Sequence, residues 1–170
     1  MVNESNFGIY YSGAISNEQM QGDPSKSLGG YRSSVFISNS MLNKLFDELG
    51  ISEMNNGQSV YRCIFIKNNH NTESINNLSL YITGKKDFET IKFGISIPNS
   101  NESAVQFLNS QESQPFNITW YEAYTEEDCV ILKSVLTSNS MIALWINREI
   151  QPNSSLRNSS GTLNFIFNWE

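Results

Sequence analysis

Charge is scarce in this chain: Asp, Glu, Lys and Arg make up only 16% of its 170 residues. The 11 basic residues are scattered against 17 acidic ones, with Lys85-Lys86 the only adjacent pair, and the net charge is -6. A duplex-binding surface needs clustered cations, so no nucleic-acid partner is expected. Histidine occurs once and cysteine twice, too few for a His/Cys zinc site with three or four convergent ligands. No run of about 18 apolar residues is present, and residues 1–6 are polar rather than basic-then-apolar. The reading therefore expects neither a secretion signal nor a membrane partner.

Solubility is carried instead by 22 Asn and 25 Ser. These short side chains bond to nearby backbone and favour turns over helix interiors. Asn-x-Ser/Thr triplets begin at Asn3, Asn77, Asn101, Asn117, Asn153 and Asn158; in this composition chance accounts for them, and none is read as glycosylated. Aromatics at 12% with ordinary aliphatic content indicate a folded domain, not a disordered tract.

The dominant pattern is alternation. In 60–67, Val60, Arg62, Ile64 and Ile66 fall on one face and Tyr61, Cys63, Phe65 and Lys67 on the other. Both faces are largely apolar, so one should meet a partner sheet and the other the helix or another subunit. Residues 76–83, with Leu78, Leu80 and Ile82 inward, are expected to pair with this strand across a polar turn at 68–71. Ile91, Phe93, Ile95 and Ile97 make a third alternation, residues 141–150 another strong strand, and Leu163, Phe165, Phe167 and Trp169 a closing one. Residues 102–108 could form one or two helical turns. Ser40 as N-cap, apolar residues at helical spacing from Met41 to Leu49, and Gly50 beyond them predict a helix over 41–49. The fold class is therefore mainly β: an antiparallel β-sandwich, immunoglobulin-like or jelly-roll-like, with one short amphipathic helix. Residues 1–32 are read as an N-terminal strand followed by an extended arm or loop, and 33–170 as a single sandwich domain. The expected core includes Phe46, Ile64, Ile66, Leu80, Phe93, Ile95, Leu144, Trp145, Ile146 and Phe165.

Little in the sequence points to chemistry. His70 lies in an Asn-rich turn, Glu126-Glu127-Asp128 lacks calcium-loop spacing, Ser12 has no placeable base, and Leu28-Gly29-Gly30 lacks the lysine of a phosphate loop. No catalytic residue, metal site or cofactor is expected. Cys63 and Cys129 sit in apolar surroundings, as buried free thiols or as one disulfide. Arg32, Arg62 and Arg148 each lie among apolar strand residues, where a guanidinium needs partners. They are either surface arginines leaning over a sheet or members of intersubunit or interlayer ion pairs, with Asp47, Glu48 or Glu149 as candidate partners. Trp120, Trp145 and Trp169 are read as core or near-core anchors; a carbohydrate-binding sandwich would instead display aromatics such as Tyr10, Tyr11, Tyr31, Tyr121 or Tyr124.

Three segments resemble a family of tailed-bacteriophage virion structural proteins: Ser25-Lys26-Ser27-Leu28-Gly29-Gly30; Leu45-Phe46-Asp47 with residues 57–68, of which Tyr61-Arg62-Cys63-Ile64-Phe65-Ile66-Lys67-Asn68 is the most specific; and Ile142-Ala143-Leu144-Trp145-Ile146-Asn147-Arg148. The resemblance spans roughly 7–150 and is patchy between 85 and 130. Ser52-Glu53-Met54-Asn55-Asn56 stands where such proteins have an alanine-rich helix exit. The resemblance implies a non-enzymatic head or tail component, a capsid decoration or cement-like protein first, a neck, tail or baseplate protein second. It further implies a major capsid protein or other virion proteins as partners, many copies or a homo-oligomer, and a virion location after synthesis in the host cytoplasm. Partner contacts are expected at Leu28, Gly29, Gly30, Tyr31, Arg32, Arg62 and Arg148. A glycan-binding β-sandwich module is the competing class.

Overall fold

The computed structural model describes residues 6–38, 45–153 and 162–170. The fold is mainly β, with three antiparallel sheets and one short helix among the described residues. The strands are β1 (Phe7–Tyr11), β2 (Gly29–Gly30), β3 (Gln58–Asn68), β4 (Ile75–Thr83), β5 (Glu89–Ser96), β6 (Val105–Phe107), β7 (Val130–Leu136), β8 (Met141–Ile150) and β9 (Asn164–Asn168); the helix α1 is Ile51–Asn56. The sheets run β1-β3-β8-β5, β7-β4-β9 and β2-β6.

A long antiparallel ribbon organises the chain. β3 pairs with β8 from Gln58↔Ile150 to Lys67↔Met141, and the pairing resumes in the other sheet as β4 with β7, from Ile75↔Leu136. Between them the ribbon bends. At the bend Asn68 is fully buried, its amide donating to Glu73 O, Leu136 O and Thr137 O at 2.8–3.3 Å. The imidazole Nδ1 of His70 accepts from the backbone N–H of Thr72 and of Glu73, so this residue shapes the corner. The expected β3–β4 hairpin is thus corrected: the two strands lie in different sheets. Their aliphatic faces meet across the core, which side-by-side pairing would prevent.

The four-stranded sheet is covered on both sides. One face meets the three-stranded sheet through Ile9, Ile64, Ile66, Leu78, Leu80, Ile82, Leu144 and Ile146, with others. The opposite face carries Tyr61, Cys63, Phe65, Met141, Ala143 and Trp145, covered by Val105 of β6 and by Leu28, Leu108, Ile118 and Trp120 from irregular chain. The expectation that the helix or another subunit meets this face is corrected, because the protein's own loops cover it. Of the expected core, Ile64, Ile66, Leu80, Phe93, Leu144, Trp145 and Ile146 are buried, while Phe46, Ile95 and Phe165 are partly buried at its margin.

Of the helix expected over 41–49, residues 41–44 lie outside the described residues; 45–49 are irregular, and the described helix begins at Ile51. Carbonyls that would continue a helix are captured by arginines: Leu45 O accepts from Arg62 Nε and Asp47 O from Arg148. Gly57, at φ +75° with its N–H donating to Glu53 O, ends α1. Residues 102–108 contain β6 rather than helical turns.

Candidate functional site

The three arginines all find partners. Arg62 is 1% exposed, donating from Nε to Leu45 O at 3.2 Å and from Nη1 to Tyr61 O at 3.1 Å, and pairing through Nη2 with Asp47 at 3.3 Å. Burial pulls its guanidinium below the ordinary arginine range, with Asp47 opposing the shift. Arg148 pairs with the buried Glu89 at 2.9 Å, and both guanidiniums lie 5.8 Å from the Phe46 ring. Arg62, Arg148, Phe46 and Asp47 line a pocket of about 100 Å³ with Glu48, Glu53 and Gln111. The carboxylates there neutralise both cations, so the arrangement clamps the 45–49 segment onto the sheet and leaves little positive field for a ligand.

Residues 12–33 fold back on β3. Ser27 O accepts from Cys63 N at 2.7 Å, and the Ser12 hydroxyl donates to Cys63 O at 2.7 Å and accepts from Gly29 N. These bonds satisfy the backbone of Cys63, where β3 extends beyond β1, and Tyr61 N donates to Gln111 O at 2.7 Å further along the same edge. Gly29 and Gly30 are buried, and Leu28 and Tyr31 half-buried. Gly29 has φ +91°, and a Cβ there would stand 1.8 Å from Gln106 O, so only glycine fits. Arg32 is buried, paired with Glu18 and 4.8 Å from the Tyr10 ring. Three buried polar atoms in this stretch, Asn17 Oδ1, Ser27 Oγ and Arg32 Nε, have no hydrogen-bond partner. Such atoms are uncommon, and here they gather in the irregular layer. Ile15 and Met20, about 80% exposed, lie in the same stretch.

A second arrangement was not legible in the sequence. Ser59 and Tyr61 of β3, Asn147 and Glu149 of β8, Lys92 of β5, and Gln114, Trp120 and Glu122 of the covering chain line an open groove of about 470 Å³. Strand register creates it: Tyr61 is opposite Asn147, which is opposite Lys92, and Ser59 is opposite Glu149. Trp120 packs on Tyr61 with ring centroids 5.7 Å apart. Lys92 Nζ lies 3.3 Å from Glu149 and 4.0 Å from Glu122. Tyr124 touches Glu122 at 3.2 Å and Ile91 O at 3.0 Å, and burial pushes its phenol up to about 12. Of the three tryptophans expected in or near the core, Trp120 stands half-buried at this wall, packed against the cluster around Tyr61 and Trp145. The available signal was polar residues on the otherwise apolar outward face of β3 and β8.

Cys63 and Cys129 are free, the first buried and the second half-exposed, so the disulfide alternative is ruled out. Among the described residues no three His, Cys, Asp or Glu side chains gather as a metal site, and no helix is long and apolar enough to cross a membrane. No protein-family model matches the chain, and neither a curated protein nor a solved structure matches it.

Proposed function

We propose that this protein is a non-enzymatic structural component of a tailed-bacteriophage virion, a capsid decoration or cement-like protein that binds neighbouring capsid subunits in many copies. The observation that carries the reading is spatial. The separated segments of the phage-protein resemblance form one contiguous unit: β3 pairs with β8, Ser27 bonds to Cys63, and Leu45 and Asp47 bond to Arg62 and Arg148. We propose further that the architecture is a jelly-roll-like sandwich, supported by the ribbon that passes from β3·β8 into β4·β7 across two sheets. Fold alone does not carry function; the exposed Ile15 and Met20 beside the under-satisfied 12–33 layer supply the contact surface such a component needs.

Cryo-electron microscopy of intact particles tests the proposal. Density for this chain at many equivalent sites, with residues 12–33 against the major shell protein, is expected. Density at one or a few copies along the portal axis would move it to the neck, tail or baseplate. Its absence from purified particles would overturn the virion reading.

A further inference from the structure

We propose that the groove between Trp120 and Glu149 binds carbohydrate, as neutral hexopyranose units. This inference is independent of the virion reading and rests on the groove alone. Its volume of about 470 Å³ falls in the usual range for small-ligand sites. An indole wall can receive the C–H face of a pyranose ring, while the rest of the lining offers short-range hydrogen bonds of both kinds. Glu122 and Glu149 side chains are 46% and 50% exposed, leaving acceptor capacity for paired hydroxyls. Lys92 and Gln114 add donors.

Other ligand classes fit poorly. A metal ion would compete with Lys92 Nζ, which already sits between the two carboxylates. An acidic sugar or phosphate would meet two carboxylates against one ammonium. An apolar ligand would strand the charged lining. A neutral polyhydroxyl satisfies both signs without displacing either.

The groove is also held in shape. The Asn147 amide donates to Ser59 Oγ at 2.9 Å and Val60 O at 3.2 Å, fixing its plane. The chain carrying Trp120 and Glu122 is pinned beside Lys92, because Tyr121 and Phe93 exchange both backbone hydrogen bonds at 2.8 and 2.9 Å. Groups on rigid strands and a pinned loop lose little freedom on binding.

The test is NMR of the isolated full chain titrated with maltotriose, cellotriose, β-1,4-mannotriose and β-1,4-galactotriose. At least one should shift the Trp120 indole N–H signal saturably below ~10 mM, a weak affinity suited to multivalent display. Trp145 and Trp169 should stay still. Trp120→Ala should weaken binding at least about tenfold, as loss of an aromatic anchor does. Glu149→Gln should weaken it severalfold with an unchanged melting temperature, which separates lost recognition from misfolding. No shift with any of the four sugars, shifts centred on Trp145 or Trp169, or full binding by Trp120→Ala would overturn the proposal. Tighter binding of 3′-sialyllactose than of lactose would overturn the neutral-sugar assignment. None of these outcomes depends on where the chain sits in a particle.

Discussion

The two faces of the four-stranded sheet are made by the same strands and buried by different means. Toward the three-stranded sheet, β3 and β8 present Ile64, Ile66, Ile142, Leu144 and Ile146, all fully buried against strand side chains. On the other side Tyr61, Cys63, Phe65, Ala143 and Trp145 lie under irregular chain held by hydrogen bonds and tight glycines. Regular layers bury apolar surface with their backbone already paired, whereas irregular cover must find a partner for each N–H and C=O. The three orphaned polar atoms fall in that cover. The inner face therefore supplies stability, and the outer face supplies shape: a groove and exposed apolar side chains.

Truncating the inner face should have the largest effect. Leu144→Ala, at a fully buried position, should cost about 2–5 kcal/mol, measured by urea denaturation. A loss under about 1 kcal/mol would mean that the two sheets are not tightly packed. The outer face is best broken at Gly29. Gly29→Ala should cost about 2 kcal/mol or more, because a Cβ at φ +91° collides with Gln106 O and the Trp145 ring. A thiol assay separates this from general unfolding. Native protein should react at the half-exposed Cys129 and not at Cys63, whose burial also pushes its thiol up. Gly29→Ala should make Cys63 reactive while far-ultraviolet circular dichroism stays native. Loss of both together would show that cover and core unfold as one.

Asn68 joins the two regimes at the ribbon's bend. Asn68→Ala leaves Glu73 O, Leu136 O and Thr137 O without their shared donor and should cost about 1–3 kcal/mol. Hydrogen exchange should report it first at the corner, and protection lost first at β1 would contradict the corner role.

That corner also shows where the sequence stopped being informative. Alternation in 60–67 and 141–150 revealed which side chains share a face, since strand periodicity is local. It could not reveal that β3 pairs with a strand some 80 positions away, because neighbours in a sheet are chosen by the whole topology. At 45–49, the described part of the expected 41–49 helix, helical spacing misled for a related reason. Residues 45–49 put apolar side chains on the sheet without helical bonds, their carbonyls satisfied by Arg62 and Arg148. The groove was hidden more deeply, since Ser59, Gln114 and Asn147 are bland singly and gain meaning only by register.

The smallest expected effect concerns Arg62 and Asp47. Arg62 is buried, whereas the Asp47 side chain is 74% exposed, so water screens the pair from one side. A double-mutant cycle of Arg62→Met and Asp47→Asn should give a coupling below about 1 kcal/mol. Arg62→Met alone should cost more than the coupling, because the donors to Leu45 O and Tyr61 O vanish with it. A coupling near 3 kcal/mol or above would mean that the carboxylate is far better shielded than its exposure indicates. In that event the 45–49 segment would be a tightly closed part of the inner core, and the contrast between regular and irregular cover would have to be redrawn around it.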